Sequence, residues 1–102
     1  MIEVETSTNP ERPCVLRLSG DLDLAAAAPV RAAIDDLPLH AQTTLLLDLR
    51  DVPFCDSCGL TLLLQTKRVV EAAGATLVLR DPTPQLKGVL QLTCLWEHFV
   101  VA

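Results

Sequence analysis

Six consecutive residues near the middle of this 102-residue chain, Cys55-Asp56-Ser57-Cys58-Gly59-Leu60, hold side chains suited to chemistry. They follow the apolar run Leu45-Leu46-Leu47-Asp48-Leu49 and precede a long helical pattern, so a strand feeds a helix through a short polar turn. At such a turn the first helical N–H groups lack partners and the positive end of the helix dipole favours negative charge. A Ser57 hydroxyl held there is well placed to become a phosphate ester, because a helix start is a ready anion site. The plain alternative is a helix N-cap, worth about 1 kcal/mol. Both roles fit together if Asp56 caps while Ser57 points outward.

Other chemistries compete for the same residues. Cys55-Asp56-Ser57-Cys58 is a C-x-x-C at a helix start after a strand, where a dithiol redox centre would sit. A small thiol–disulfide oxidoreductase using Cys55 and Cys58 is therefore the rival function. Against it, the acidic Asp56 between the cysteines raises a thiol pKa rather than lowering it, and Trp96 lies far along the chain. Asp21 and Asp23 share one short turn and could form a metal or acid–base pair. A solvated turn with Asp23 capping a helix is the simpler reading, and it still leaves two carboxylates to repel a phosphate or meet a basic partner. Asp48 sits where a phospho-accepting strand aspartate would, yet the lysines Lys67 and Lys87 both fall in predicted helices rather than after a last strand. Zinc is disfavoured, because Cys14 and Cys94 supply no second ligand pair and His40 and His98 are isolated. With no Gly-rich phosphate cradle and no Ser/His/Asp set, the chain reads as a kinase substrate, with no catalytic residue, metal or cofactor of its own.

Composition narrows the class. Half the residues are apolar, and the aromatics are two Phe and one Trp, so Leu, Val and Ala must fill a single-domain core. A net charge of −5 argues against generic affinity for nucleic acid or an anionic membrane, which need clustered Lys and Arg. The start Met1-Ile2-Glu3-Val4-Glu5 is acidic where a signal peptide would be basic, and no apolar stretch approaches the ~20 residues of a membrane span. A soluble, cytoplasmic protein is expected, with its four cysteines reduced.

The elements that must position the Ser57 turn alternate between strand and helix. Ile2 to Val4 reads as a short edge strand, and Thr6-Ser7-Thr8-Asn9-Pro10 as a turn cluster. Cys14 to Leu18 alternates like a half-buried strand ending at Gly20-Asp21. Leu24 to Leu37 reads as a helix with Asp23 as N-cap and an apolar stripe of Ala27, Val30, Ile34 and Leu37, stopped by Pro38. Thr43 to Leu49 is apolar on both faces, which predicts a central strand covered on both sides, with Leu45, Leu46 and Leu47 buried. A helix from about Cys58 to Ala73 follows, lined by Leu60, Leu63, Leu64, Lys67 and Val70, with Gly74 at the left-handed C′ position. Ala75 to Leu79 is a strand, Thr83-Pro84 opens a short helix to about Leu92, and Phe99 to Val101 makes a final strand. This order implies an α/β layered domain.

Three segments give the chain a family likeness. Gly20-Asp21-Leu22-Asp23 is similar to the Gly-Glu-Leu-Asp loop of the STAS family, whose best-known members are bacterial anti-sigma factor antagonists. Leu45 to Leu60, ending in Asp-Ser-Cys-Gly-Leu, resembles that family's strand, turn and Asp-Ser-Ser-Gly-Leu signature. The strand at Gly74 to Leu79 and the helix at Pro84 to Leu95 follow at the family's usual interval. The resemblance runs from Val15 to Phe99 and implies one STAS-like domain over 1–102, a mixed sheet of four to five strands packed against α-helices. It implies phosphorylation at Ser57, with Asp21, Asp23, Asp56, Cys58 and Gly59 joining Ser57 in partner binding. The implied partner is an anti-sigma factor with serine-kinase activity, bound while Ser57 is unphosphorylated, and a serine phosphatase restores binding. A homodimer is compatible with the family pattern. Cys58 replaces the second serine of the signature. The family's usual C-terminal helix has no counterpart after Val101, which implies a less covered sheet face.

Overall fold

The computed structural model describes residues 2–9 and 12–102. Five strands, β1 (Glu3–Asn9), β2 (Arg12–Ser19), β3 (Thr44–Asp51), β4 (Thr76–Arg80) and β5 (Val100–Val101), alternate from β2 onward with helices α1 (Ala27–Asp35), α2 (Ser57–Ala72) and α3 (Pro84–Leu92). The strands lie side by side in chain order; β1 is antiparallel to β2, and every other pair is parallel. This is the mixed-sheet α/β domain expected.

Local signals start and stop the helices. Thr83 caps α3 by accepting the Leu86 N–H at 3.4 Å, with Pro84 as the first helical residue. Gly74 takes φ +78° after α2, the left-handed conformation that glycine adopts without a Cβ penalty. Asp23 behaves otherwise: it precedes a 3-10 turn, Leu24–Ala26, and its side chain makes no capping bond. The segment expected to turn at residues 6–8 is extended instead, because Glu3 to Ser7 pair with Ser19 to Val15 of β2. Thr6, Ser7 and Thr8 are exposed, and polar residues suit an edge strand that must not attract another. Pro10, which completed the predicted turn, lies outside the described residues.

Each parallel connection steps to the neighbouring position, β2 to β3 to β4 to β5. Right-handed crossovers all stepping the same way place every helix on one face of the sheet. Burial follows that rule. Cys14, Leu16 and Leu18, Leu45, Leu47 and Leu49, and Leu77 and Leu79 face the helices and are buried. Val30 and Ile34 of α1, Leu62, Leu63 and Val70 of α2, and Leu86 and Leu90 of α3 complete the core. The buried face of α2 is turned from the one expected. It includes Thr66, whose hydroxyl donates to the Leu62 carbonyl at 2.8 Å and so needs no water, while Leu64 and Lys67 are half-buried.

The expected cover on both sides of β3 is not found. Val15, Leu46 and Val78 pair across β2, β3 and β4 on the face away from the helices and are only half-buried. One row along, Asp48 is buried between two arginines, with Arg80 Nη2 at 3.0 Å and Arg17 Nε at 3.4 Å from its Oδ2. Its Oδ1 accepts the Arg50 N–H at 3.1 Å. Asp48 is thus an ion-paired sheet residue rather than a free phosphoryl acceptor. Burial alone would push its carboxyl up, but the Arg50 N–H, the Arg80 guanidinium and the Arg17 charge together hold it below the usual value.

Two outcomes follow for stability. Leu47→Ala should cost about 2–5 kcal/mol in urea titration, and the half-exposed Leu46→Ala clearly less; equal losses would show the second face to be covered. Because the folded-state pKa of Asp48 is depressed, its stabilisation is present above the unfolded value near ~3.9 and is lost as pH falls through the folded one. The stability gap between wild type and Asp48→Asn should therefore be full at neutral pH and close in acid.

Candidate phosphorylation and partner-binding site

Three loops leave the carboxyl ends of parallel strands and meet at one edge of the sheet, the place where open α/β sheets gather their functional groups. Backbone hydrogen bonds join the first two. The Gly20 N–H donates to the Asp51 carbonyl at 3.0 Å, Leu22 N–H to Phe54 at 2.9 Å, and Asp56 N–H back to Leu22 at 3.3 Å. Leu22 and Cys55 form a parallel bridge, and both are buried. The loop carrying Asp21 and Asp23 is thereby fastened alongside the turn that carries Asp56 and Ser57.

Gly59 makes this approach feasible. A Cβ there would stand 2.2 Å from the Leu22 carbonyl oxygen and 2.7 Å from Cys55 Sγ. No real side chain fits that space, so the first turn of α2 can lie on the Leu22 loop only as glycine.

The third loop locks the turn from the other side. Gln85, in the first turn of α3, accepts the Cys55 N–H at 3.0 Å and donates to the Cys55 carbonyl at 3.2 Å. Thr83 Oγ1 donates to the Val52 carbonyl at 2.9 Å. Thr83 was legible in the sequence only as a helix cap and Gln85 not at all; the convergence of strand ends is the one general signal that could have pointed to their place at this site.

Asp56 is the N-cap of α2, its Oδ1 accepting the Gly59 N–H at 3.0 Å. Ser57 is the first helical residue and is exposed, and among the described residues its hydroxyl has no hydrogen-bond partner. Cys58 is exposed beside it. The polar turn is flanked by exposed apolar side chains, Leu24 at 75% and Phe54 at 45% accessibility. Asp21 is exposed and Asp23 half-buried on the adjoining loop. An exposed hydroxyl at a helix start, next to the capping Asp56 and with exposed apolar and acidic residues on the adjoining loops, suits contact with another protein better than capture of a small substrate.

The two cysteines of the C-x-x-C differ sharply. Cys55 is buried, and desolvation, reinforced by the Asp56 charge, pushes its thiol up to about 12. A resolving or attacking thiol needs the opposite shift. Among the described residues no group of three His, Cys, Asp or Glu could hold a metal, and no helix is long and apolar enough to cross a membrane.

Comparison with known proteins agrees with this geometry. Residues 6–100 match the family model described as "Mlab, STAS domain", and the chain belongs to the STAS domain family. A curated relative, the anti-sigma F factor antagonist of Lysinibacillus sphaericus, is 34% identical over 80 residues, spanning 78% of this chain and 68% of the relative. The anti-sigma factor antagonist SpoIIAA in its unphosphorylated form superposes with a TM-score of 0.73 at 30% identity, over 98% of this chain and 88% of that one. The phosphorylated form of SpoIIAA from Bacillus gives 0.69 at 26% identity, over 98% and 91%.

Native-state alkylation followed by peptide mass spectrometry should label the exposed Cys58 and Cys94 and spare the buried Cys14 and Cys55. Rapid labelling of Cys55 near neutral pH would instead mark a redox thiol. Gly59→Ala should destabilise the fold by about 1–3 kcal/mol or more, as overpacking does, because the added Cβ would meet the Leu22 backbone. A melting temperature unchanged by that substitution would contradict the close packing of the two loops.

Proposed function

We infer that this protein is an anti-sigma factor antagonist switched by phosphorylation of Ser57. The observation that carries the reading is the state of that serine: exposed, first in α2, and released from capping because Asp56 does that work. The relative named as an antagonist, and the likeness to SpoIIAA in both phosphorylated and unphosphorylated forms, support it.

In this reading the unphosphorylated protein binds an anti-sigma factor that is also a serine kinase, and so frees a sigma factor in the cytoplasm. Leu24 and Phe54 supply apolar contact, while Asp21, Asp23, Asp56, Cys58 and Gly59 frame Ser57. The partner supplies ATP and its metal ion. Ser57 Oγ attacks the γ-phosphorus, the bond to ADP breaks, and the hydroxyl proton passes to a base of the kinase. The product carries roughly −1.5 to −2 charges at the helix start. The helix dipole and the free N–H groups of the first turn tolerate that charge within the free protein. In the complex it meets a surface shaped for a neutral hydroxyl, beside three carboxylates. A serine phosphatase that removes the phosphate returns the protein to its binding state.

Incubation with ATP and a purified anti-sigma kinase should add one phosphate, located at Ser57 by peptide mass spectrometry. Ser57→Ala should bind the kinase and resist modification, while Ser57→Asp should stay folded and bind about 100-fold more weakly, equivalent to about 2.8 kcal/mol. Equal affinities of the two variants in calorimetry would reduce Ser57 to an ordinary helix-start residue.

A further inference from the structure

We propose that the furrow between α1 and α2 is a docking groove for an acidic, amphipathic helix of the same protein that engages Ser57. This rests on the partner-binding reading of Ser57 and extends it to a second, separate surface.

The furrow begins at the Ser57 site. Its upper part, about 150 Å³, is lined by Leu24, Ala27, Cys58 and Thr61. Its lower part, about 390 Å³, has an apolar floor of Ile34, Leu62 and Val69. Arg31, Leu62 and Gln65 line both parts, so the two recesses adjoin, and the Arg31–Gln65 hydrogen bond joins α1 to α2 between them. Val69 is 47% exposed at its far end, as Leu24 is at its near end. From Cys58 to Val69 the α2 wall rises about 16 Å at ~1.5 Å per residue, the length of a three-turn helix. Both recesses lie on the surface, with Leu24 and Val69 exposed at their outer ends, whereas a small ligand needs most of its surface buried. Two parallel helix edges with an apolar floor instead offer the groove into which the ridge of a third helix packs.

Charge chooses the occupant. The protein carries a net −5, yet two arginines, Arg31 and Arg68, border this furrow. Among the described residues Arg17, Arg50, Arg80 and Lys67 each lie within reach of a carboxylate, and Lys87 stands 5.2 Å over the Trp96 ring. Among the same described residues Arg31 and Arg68 have no such partner. Arg31 donates only to the neutral Gln65 Oε1, which leaves its charge uncompensated. Asp35 also lines the lower part, and among the described residues it forms an ion pair with neither arginine. A helix with an apolar stripe and carboxylates along its edge would neutralise both guanidinium groups and cover Leu24 and Val69. The same partner must tolerate the acidic Asp21, Asp23 and Asp56 at Ser57. The surface thus demands opposite charges at two places, a pattern that selects partners and their orientation.

The test uses the full chain and a purified anti-sigma kinase, with affinity measured by calorimetry at low and high salt. Arg31→Glu with Arg68→Glu should weaken binding about tenfold or more at low salt and flatten the salt dependence, with the melting curve retained. Val69→Asp, an exposed single change, should weaken binding in the same sense, while Arg31→Lys with Arg68→Lys should keep most of the affinity. If the charge-reversed variant binds like wild type while Ser57→Asp binds weakly, the groove is not used and the switch reading stands. If no anti-sigma kinase binds the wild-type chain, the switch reading fails and the groove proposal falls with it.

Discussion

The candidate site depends on the contact between the Leu22 carbonyl and the first turn of α2. Leu22 is buried, and its carbonyl accepts the Asp56 N–H while its N–H donates to Phe54, so its peptide groups belong to both loops at once. Gly59 lets the helix lie on that carbonyl without a side chain between them. Once α2 is seated there, Asp56 is positioned to cap it and Ser57 is left facing solvent. Gln85 then holds Cys55 from the α3 side, so the backbone before the serine is bonded on two flanks. The Ser57 hydroxyl is thus exposed on a backbone that is fixed in place.

The same packing explains why the cysteine pair is an unsuitable redox centre. Cys55 has to be buried to fill the space under Gly59 and beside Leu22, and burial stabilises its neutral thiol. Cys58 lies on the outer side of the helix start. A spacing that would serve dithiol chemistry in one loop geometry here divides one core residue from one surface residue.

The sheet has two unlike faces because its strands follow one another in order. Consecutive right-handed crossovers bring α1, α2 and α3 to one side. The other side keeps a half-exposed apolar row through Val15, Leu46 and Val78, with the buried Asp48 held between Arg17 and Arg80 next to it. On the helical side, α1 and α2 meet edge to edge and leave the furrow that starts at Leu24 and Cys58. Acidic groups therefore gather at the strand ends, and two guanidinium groups without an ion-pair partner among the described residues lie along the helix edges. A surface so divided presents a partner with both position and polarity.

What the sequence determined by itself was local. The Asp56 cap, the Thr83-Pro84 helix start, the left-handed Gly74 and the alternation of β2 all rest on hydrogen bonds or side-chain spacing within a few residues, and short-range pattern encodes these. The Asp-Ser-Cys-Gly-Leu turn was legible for the same reason. Tertiary structure decided the features that depend on distant partners. Residues 6–8 became strand because β2 supplied the ladder, and local turn preference could not outweigh it. Asp23 gave up its cap because its loop was drawn onto the 51–56 turn and entered α1 through a 3-10 turn. Leu46 lost its cover through the handedness of crossovers, which no window of apolar residues records. Gln85, thirty residues from Cys55, reached the site only through the convergence of strand ends. Arg31 and Arg68 came to share one groove only because two helices packed side by side.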